Sequence, residues 1–181
     1  RESWALDPAA HGRSDRGHRC TLLAMPVTIG FNHVATLTTD MDLTVRFYEQ
    51  AFEAVVTFEV PRRDDHPWMK ILDLGGGAAL NVLEVPADEI IGDRRRQGGR
   101  GAIDHYALAV DSRATLETVK DRLVAAGAQE VGEIQQLGHE WSLFFRDPDG
   151  LEAEVCVANP DAKPGELNPP GTPAPGYDVV G

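Results

Sequence analysis

The sequence predicts an α+β fold: two tandem βαβββ modules forming an incomplete barrel around a metal-binding cleft. Three observations predict it. Residues 27–86 and 102–158 each read as strand, helix and three further strands. Each stretch opens with a histidine on its first strand and closes with a glutamate on its last. His33 and Glu84 are 51 residues apart, and His105 and Glu154 are 49 apart. The offset between copies is 72 residues at the histidines and 70 at the glutamates. A repeat of that length means paired modules rather than a solenoid.

Phe31 to Thr38 alternates Phe31, His33, Ala35 and Leu37 on one face with Asn32, Val34, Thr36 and Thr38 on the other, which predicts a strand. Thr39 or Asp40 caps a helix whose Leu43, Phe47, Tyr48, Ala51 and Phe52 recur at helical spacing and face the core. Val55 to Val60 is β-branched and aromatic, a strand, and Pro61 to Pro67 is a polar loop. Trp68 to Leu74 and Ala78 to Val85 are strands joined by a Gly75-Gly76-Gly77 turn. Residues 87–101 form the linker, with one helical turn near Asp88 to Ile91 and the basic run Arg94-Arg95-Arg96, read as a solvated segment.

The order then repeats. Ile103 to Val110 is a strand. Asp111 or Ser112 caps a helix that turns Leu116, Val119, Leu123 and Val124 to the core, and Gly127 stands where a helix C-terminal glycine belongs. Glu130 to Leu137 and Glu140 to Arg146 are strands. Asp147-Pro148-Asp149-Gly150 is a turn, and Leu151 to Val157 is the last strand.

The flanks differ in kind. Residues 1–26 lack periodicity and are expected to be a disordered leader, with Met25 a candidate natural start. Residues 159–181 hold six prolines and are expected to be a flexible or surface-wrapped tail. The formal net charge is −12 and the pI is about 4.8. Such acidity excludes nucleic acid as a partner, and no apolar run approaches a membrane span. The two cysteines, Cys20 and Cys156, are placed poorly for a disulfide and fit a cytoplasmic protein.

Two imidazoles and two carboxylates at matched spacing are a ligand set for a divalent metal. His66, Trp68, His139 and Trp141 occupy similar places in the two modules and read as surface or packing residues. Phe47 and Tyr48 read as core.

The motifs Asn32-His33-Val34, Asp104-His105-Tyr106-Ala107, the helix Met41-Asp42-Leu43-Thr44-Val45-Arg46-Phe47-Tyr48, and above all Phe144-Phe145-Arg146-Asp147-Pro148-Asp149-Gly150 with Glu154 four residues after the glycine resemble the vicinal-oxygen-chelate superfamily. That superfamily includes glyoxalase I, extradiol dioxygenases, methylmalonyl-CoA epimerase, and the fosfomycin and bleomycin resistance proteins. The resemblance covers about residues 29–158 and implies His33, Glu84, His105 and Glu154 as ligands of one divalent metal ion, Zn, Ni, Co, Mn or Fe. It favours Glu154 over Glu152 through the turn spacing. A carboxylate at position 84 places the chain nearest the glyoxalase and epimerase branch. Leu37 stands where glyoxalase I carries the arginine that holds glutathione.

The implied function is a metal-dependent lyase or isomerase that abstracts a proton beside a bound carbonyl of a small molecule, with Glu154, then Glu84, as the base. One alternative is an Fe(II) extradiol-type dioxygenase using His33, His105 and Glu154, with Glu84 off the metal. Another is a non-catalytic antibiotic-binding protein. A homodimer is the expected assembly.

Overall fold

The computed structural model describes residues 31–94 and 103–162. The expected leader, the later part of the linker from Arg95 on, with Arg95 and Arg96, Cys20 and most of the Pro-rich tail lie outside these residues. Everything below concerns the unit that begins at Phe31.

The first module runs β1 (His33–Thr38), α1 (Met41–Phe52), β2 (Val55–Val60), β3 (Trp68–Gly75) and β4 (Ala78–Glu84). The second runs β5 (Tyr106–Ala109), α2 (Arg113–Ala126), β6 (Glu130–Val131), β7 (Gln135–Leu137), β8 (Glu140–Arg146) and β9 (Glu152–Ala158). The first sheet has the order β1-β4-β3-β2, and the second β5-β9-β8-β6 with β7 also on β8. In both, the first strand runs parallel to the last, so the opening and closing strands of each module lie side by side. No pairing joins β1 to β5 among the described residues, and the barrel stays open.

Local sequence starts and stops the helices. The Asp40 carboxylate accepts from Leu43 N at 2.9 Å, and Ser112 Oγ accepts from Thr115 N at 3.1 Å. Gly127, at φ 83°, ends α2 in the left-handed conformation that costs glycine least. The same conformation at the end of α1 falls on Glu53, φ 57°, whose side chain is held by Arg122 at 2.6 Å.

Both helices share one core with the two sheets. Phe47, Tyr48, Ala51, Leu72, Leu80, Val82, Leu116, Leu123, Leu143, Phe145 and Val155 belong to a single buried cluster. Leu43 and Val124, expected in that core, are exposed. Each is one residue, about 100° around the helix, off the buried stripes that run through Thr44 and Tyr48 and through Leu116, Val119 and Leu123. The strand expected over Glu130 to Leu137 is two short strands. Val131 opposes Phe145 and Gln135 opposes Ser142, so four steps on one side face three on the other, which is a one-residue bulge. Gly132 lies at that bulge, where an added Cβ would come within 3.3 Å of Phe144 O.

Candidate metal centre

The turn before β9 is fixed first. Asp147 Oδ1 accepts the backbone N–H of Asp149 at 3.0 Å and of Leu151 at 2.8 Å, and Gly150 takes φ 79°. Behind it sits Arg146, 1% exposed, which donates to Glu130 at 2.9 Å and to Gly150 O at 3.2 Å and pairs with Glu152 at 2.9 Å. Glu152 is thereby the counter-ion of a buried guanidinium. The turn leaves Glu154 opposite Ala107 on β5, 8% exposed and on the same face of the strand as Glu152 and Cys156.

His105 immediately precedes β5, and its Nε2 lies 3.2 Å from Glu154 Oε2. Its Nδ1 lies 2.8 Å from Asp104 Oδ2. The first module repeats that detail, with His33 Nδ1 2.8 Å from Asn32 Oδ1. An oxygen on the residue before each histidine therefore holds Nδ1 as the donor, and Nε2 keeps its lone pair for another partner. This is how protein metal centres orient imidazole ligands. His33 and His105 line one cavity of about 610 Å³, whose walls include Phe31, Leu74, Ile103 and Leu108. Among the described residues, no lysine or arginine lines it.

Glu84 lies elsewhere. It is paired with Thr38, at the far end of β1 from His33, five residues or about 16 Å along the strand. It also points to the opposite face, because 33 and 38 differ in parity. Glu84 Oε2 accepts the Met41 N–H at 2.8 Å at the start of α1, and Oε1 binds Arg62 at 2.7 Å. The structure thus brings His105 and Glu154 together, places His33 on the same cavity, and sets Glu84 apart as a partner of the α1 N-terminus. The register equivalent of Glu154 in the first module is a different residue. Glu154 faces the residue two beyond His105, and the residue facing two beyond His33 is Asn81, opposite Ala35. Asn81 Oδ1 is buried with no hydrogen-bond partner among the described residues.

The residues present fit a divalent cation. His105 Nε2 and the buried Glu154 Oε2, 3.2 Å apart, are close enough to share a proton or a cation, and imidazole nitrogen with carboxylate oxygen is a donor pair that suits a divalent ion. Beside it, Glu140, Glu154 and Cys156 offer ligand atoms within 4.8 Å of one another. Burial, followed by Glu140 and Glu154, pushes the Cys156 thiol up to about 11. Below the opposite face, Tyr48 OH donates to Asp147 Oδ2 at 3.2 Å and lies 2.6 Å from Tyr106 OH. Burial raises Tyr48 and Tyr106, and raises Asp147 to about 6. Sequence reasoning assigned no role to Asp104, Asn32, Asn81, Glu140 or Arg146. The side-chain oxygen immediately before each histidine was a readable signal for the first two.

Residues 30–155 match the family model described as Glyoxalase/Bleomycin resistance protein/Dioxygenase superfamily. A comparison with curated proteins found no match. Among solved structures, a glyoxylase/bleomycin resistance protein/dioxygenase domain from Frankia sp. EAN1pec is 26% identical, with a TM-score of 0.59 over 72% of this chain and 98% of that one. The glyoxalase family protein from Enterococcus faecalis is 23% identical, with a TM-score of 0.57 over 71% and 98%. A mutant of the fosfomycin resistance protein FosX from Listeria monocytogenes, complexed with Mn(II) and 1S,2S-dihydroxypropylphosphonic acid, is 18% identical, with a TM-score of 0.55 over 73% and 92%.

Proposed function

The chain belongs to the Glyoxalase/Bleomycin resistance protein/Dioxygenase superfamily, and from that premise we propose that it is a divalent-metal-dependent lyase or isomerase of a small molecule, with His33, His105 and Glu154 as the metal ligands. The observation that carries this reading is the 3.2 Å approach of His105 Nε2 to Glu154 Oε2, with His33 held in the same orientation on the same cavity. The Mn(II) in the FosX complex is consistent with a hard or borderline ion on such a set.

When bound, the cation stabilises negative charge on a substrate oxygen. The chain supplies the rest. Asp104 and Asn32 fix the two imidazoles so that neither ring turns when substrate arrives. Glu154 takes the proton from carbon and returns it to the neighbouring carbon. Glu84, engaged by Met41 N–H and Arg62, has no part in that step. Val34, Leu74, Leu80 and Leu108 give the cavity apolar walls that suit an apolar substrate body.

Three protein ligands also form the two-histidine, one-carboxylate set of Fe(II) oxygenases, and the displacement of Glu84 favours that second reading. Protein purified without chelator decides between them. Divalent metal with solvent-proton exchange into an α-hydroxycarbonyl or acyl-thioester substrate supports the isomerase or lyase. Iron with oxygen uptake on catechols supports the dioxygenase, and no transition metal above background sinks both. The proposal includes a homodimer. Val55 and Phe58, 59% and 55% exposed, lie on the same sheet face as His33, an apolar surface suited to a second copy. Light scattering at micromolar concentration tests it.

A further inference from the structure

We propose that Glu140, Glu154 and Cys156 form a second cation position beside the histidine pair, one that takes a thiophilic divalent ion such as Zn2+. Three facts support it. The ligand atoms of these residues all lie within 4.8 Å of one another, the separation of donors that share an ion. Cys156 stands two residues after Glu154 on β9, so thiol and carboxylate leave the sheet on one face, and Glu140 on β8 reaches them from the adjoining strand. Ser142 provides the independent sign of a ligand. It is the cross-strand partner of Cys156, so its hydroxyl points to the same side as the thiol; it is 0% exposed, and its Oγ has no hydrogen-bond partner among the described residues. A buried hydroxyl without a partner loses its hydration and gains nothing in return unless something occupies the space before it.

The donor chemistry separates this position from the first. The histidine centre offers two imidazoles and a carboxylate, suited to Mn, Fe or Zn. This one adds sulfur, which selects Zn over Mn or Mg. Binding forms a metal–sulfur bond as the thiol proton leaves to solvent, so no oxidant or reductant is required. Glu154 is common to both positions, and an ion held by Glu140 and Cys156 would fix the very carboxylate proposed above to carry the proton. The inference shares Glu154 with that reading but does not need the histidines.

Co2+ is the probe. Titrated into reduced, chelator-stripped full-length protein, it gives a near-ultraviolet thiolate-to-cobalt charge-transfer band only if sulfur binds. The band is expected in the natural sequence and in Cys20→Ser, and is expected to vanish in Cys156→Ser. In Glu140→Gln, which leaves both the thiol and the fold's buried groups in place, the Co2+ concentration at half-saturation should rise at least ~10-fold. The band should survive in His33→Ala and His105→Ala, which remove the other centre. A folded protein with no band overturns the proposal, as does a band that follows Cys20 or a midpoint indifferent to Glu140. Loss of the band in His105→Ala shows a single centre with a sulfur donor and overturns a separate position. Failure of histidine-dependent metal uptake with the band intact defeats the functional reading alone.

Discussion

His105 Nε2 stands 3.2 Å from Glu154 Oε2, and that contact joins the two ends of the second module across one parallel strand pair. The other ring nitrogen is committed to Asp104 at 2.8 Å. Because Asp104 is exposed, its loss leaves the core untouched and alters only the ring's orientation and basicity. Asp104→Ala is expected to weaken metal binding by about 10- to 100-fold with little change in melting temperature. Competition against a chromophoric chelator measures it. Asn32→Ala should act in the same direction through His33.

Glu84→Ala separates the ligand set that spacing suggests from the one that register supports. Glu84 caps the N-terminus of α1 through Met41 N and pairs with Arg62. Removing it should cost about 1 kcal/mol, or roughly 2–4 °C in melting temperature for a chain of this size. Metal stoichiometry should not change. A variant that loses its metal while keeping its stability would restore Glu84 to the centre.

The reason Glu84 misleads also shows how far the sequence can be read. Module order, the bounds of β2 and β8, the cap at Gly127 and the turn that delivers Glu154 follow from local chemistry, and each was legible. Glu84 is suggested by distance along the chain, where 51 against 49 residues imitates symmetry. A strand, however, changes face with every residue, so a three-residue displacement from Asn81 to Glu84 reverses the side chain's direction. Register depends on which strands pair, a long-range property that no single-strand pattern encodes. The bulge between β6 and β7 escaped for the same reason: Gly132 is visible, but its close approach to Phe144 O is not. Leu43 and Val124 were apolar at approximately helical spacing, and only the packing around each helix shows which edge of the stripe is buried.

Arg146 and Glu152 are 1% and 5% exposed, and they form a buried ion pair that anchors the turn before Glu154. Arg146→Met leaves the Glu152 carboxylate buried without its partner and should destabilise the fold by about 3–5 kcal/mol. Arg146→Met combined with Glu152→Leu removes both charges, and the double variant should be more stable than the single one. Urea unfolding of the four proteins closes the cycle. A double variant that costs the sum of the two singles would show that the pair contributes nothing as a pair.

Asp147 makes stability depend on pH in a direction opposite to that of most carboxylates. Burial raises its folded pKa to about 6, against 3.8 for the ordinary side chain. The folded state therefore holds a proton that the unfolded chain has already released between those values. The sign follows directly: this group's contribution is fully present below about pH 4 and is lost as pH rises through about 6. The difference amounts to about 3 kcal/mol. Asp147→Asn keeps an oxygen for the Asp149 and Leu151 N–H groups but cannot ionise. The natural sequence should lose roughly that amount relative to the variant between pH 4 and 7, whatever the other groups do in both. Denaturant unfolding at each pH gives the difference directly. A difference that stays flat across this window would mean that Asp147 ionises normally, and that the Tyr48 and Tyr106 hydroxyls above it stabilise its charge rather than share in its burial.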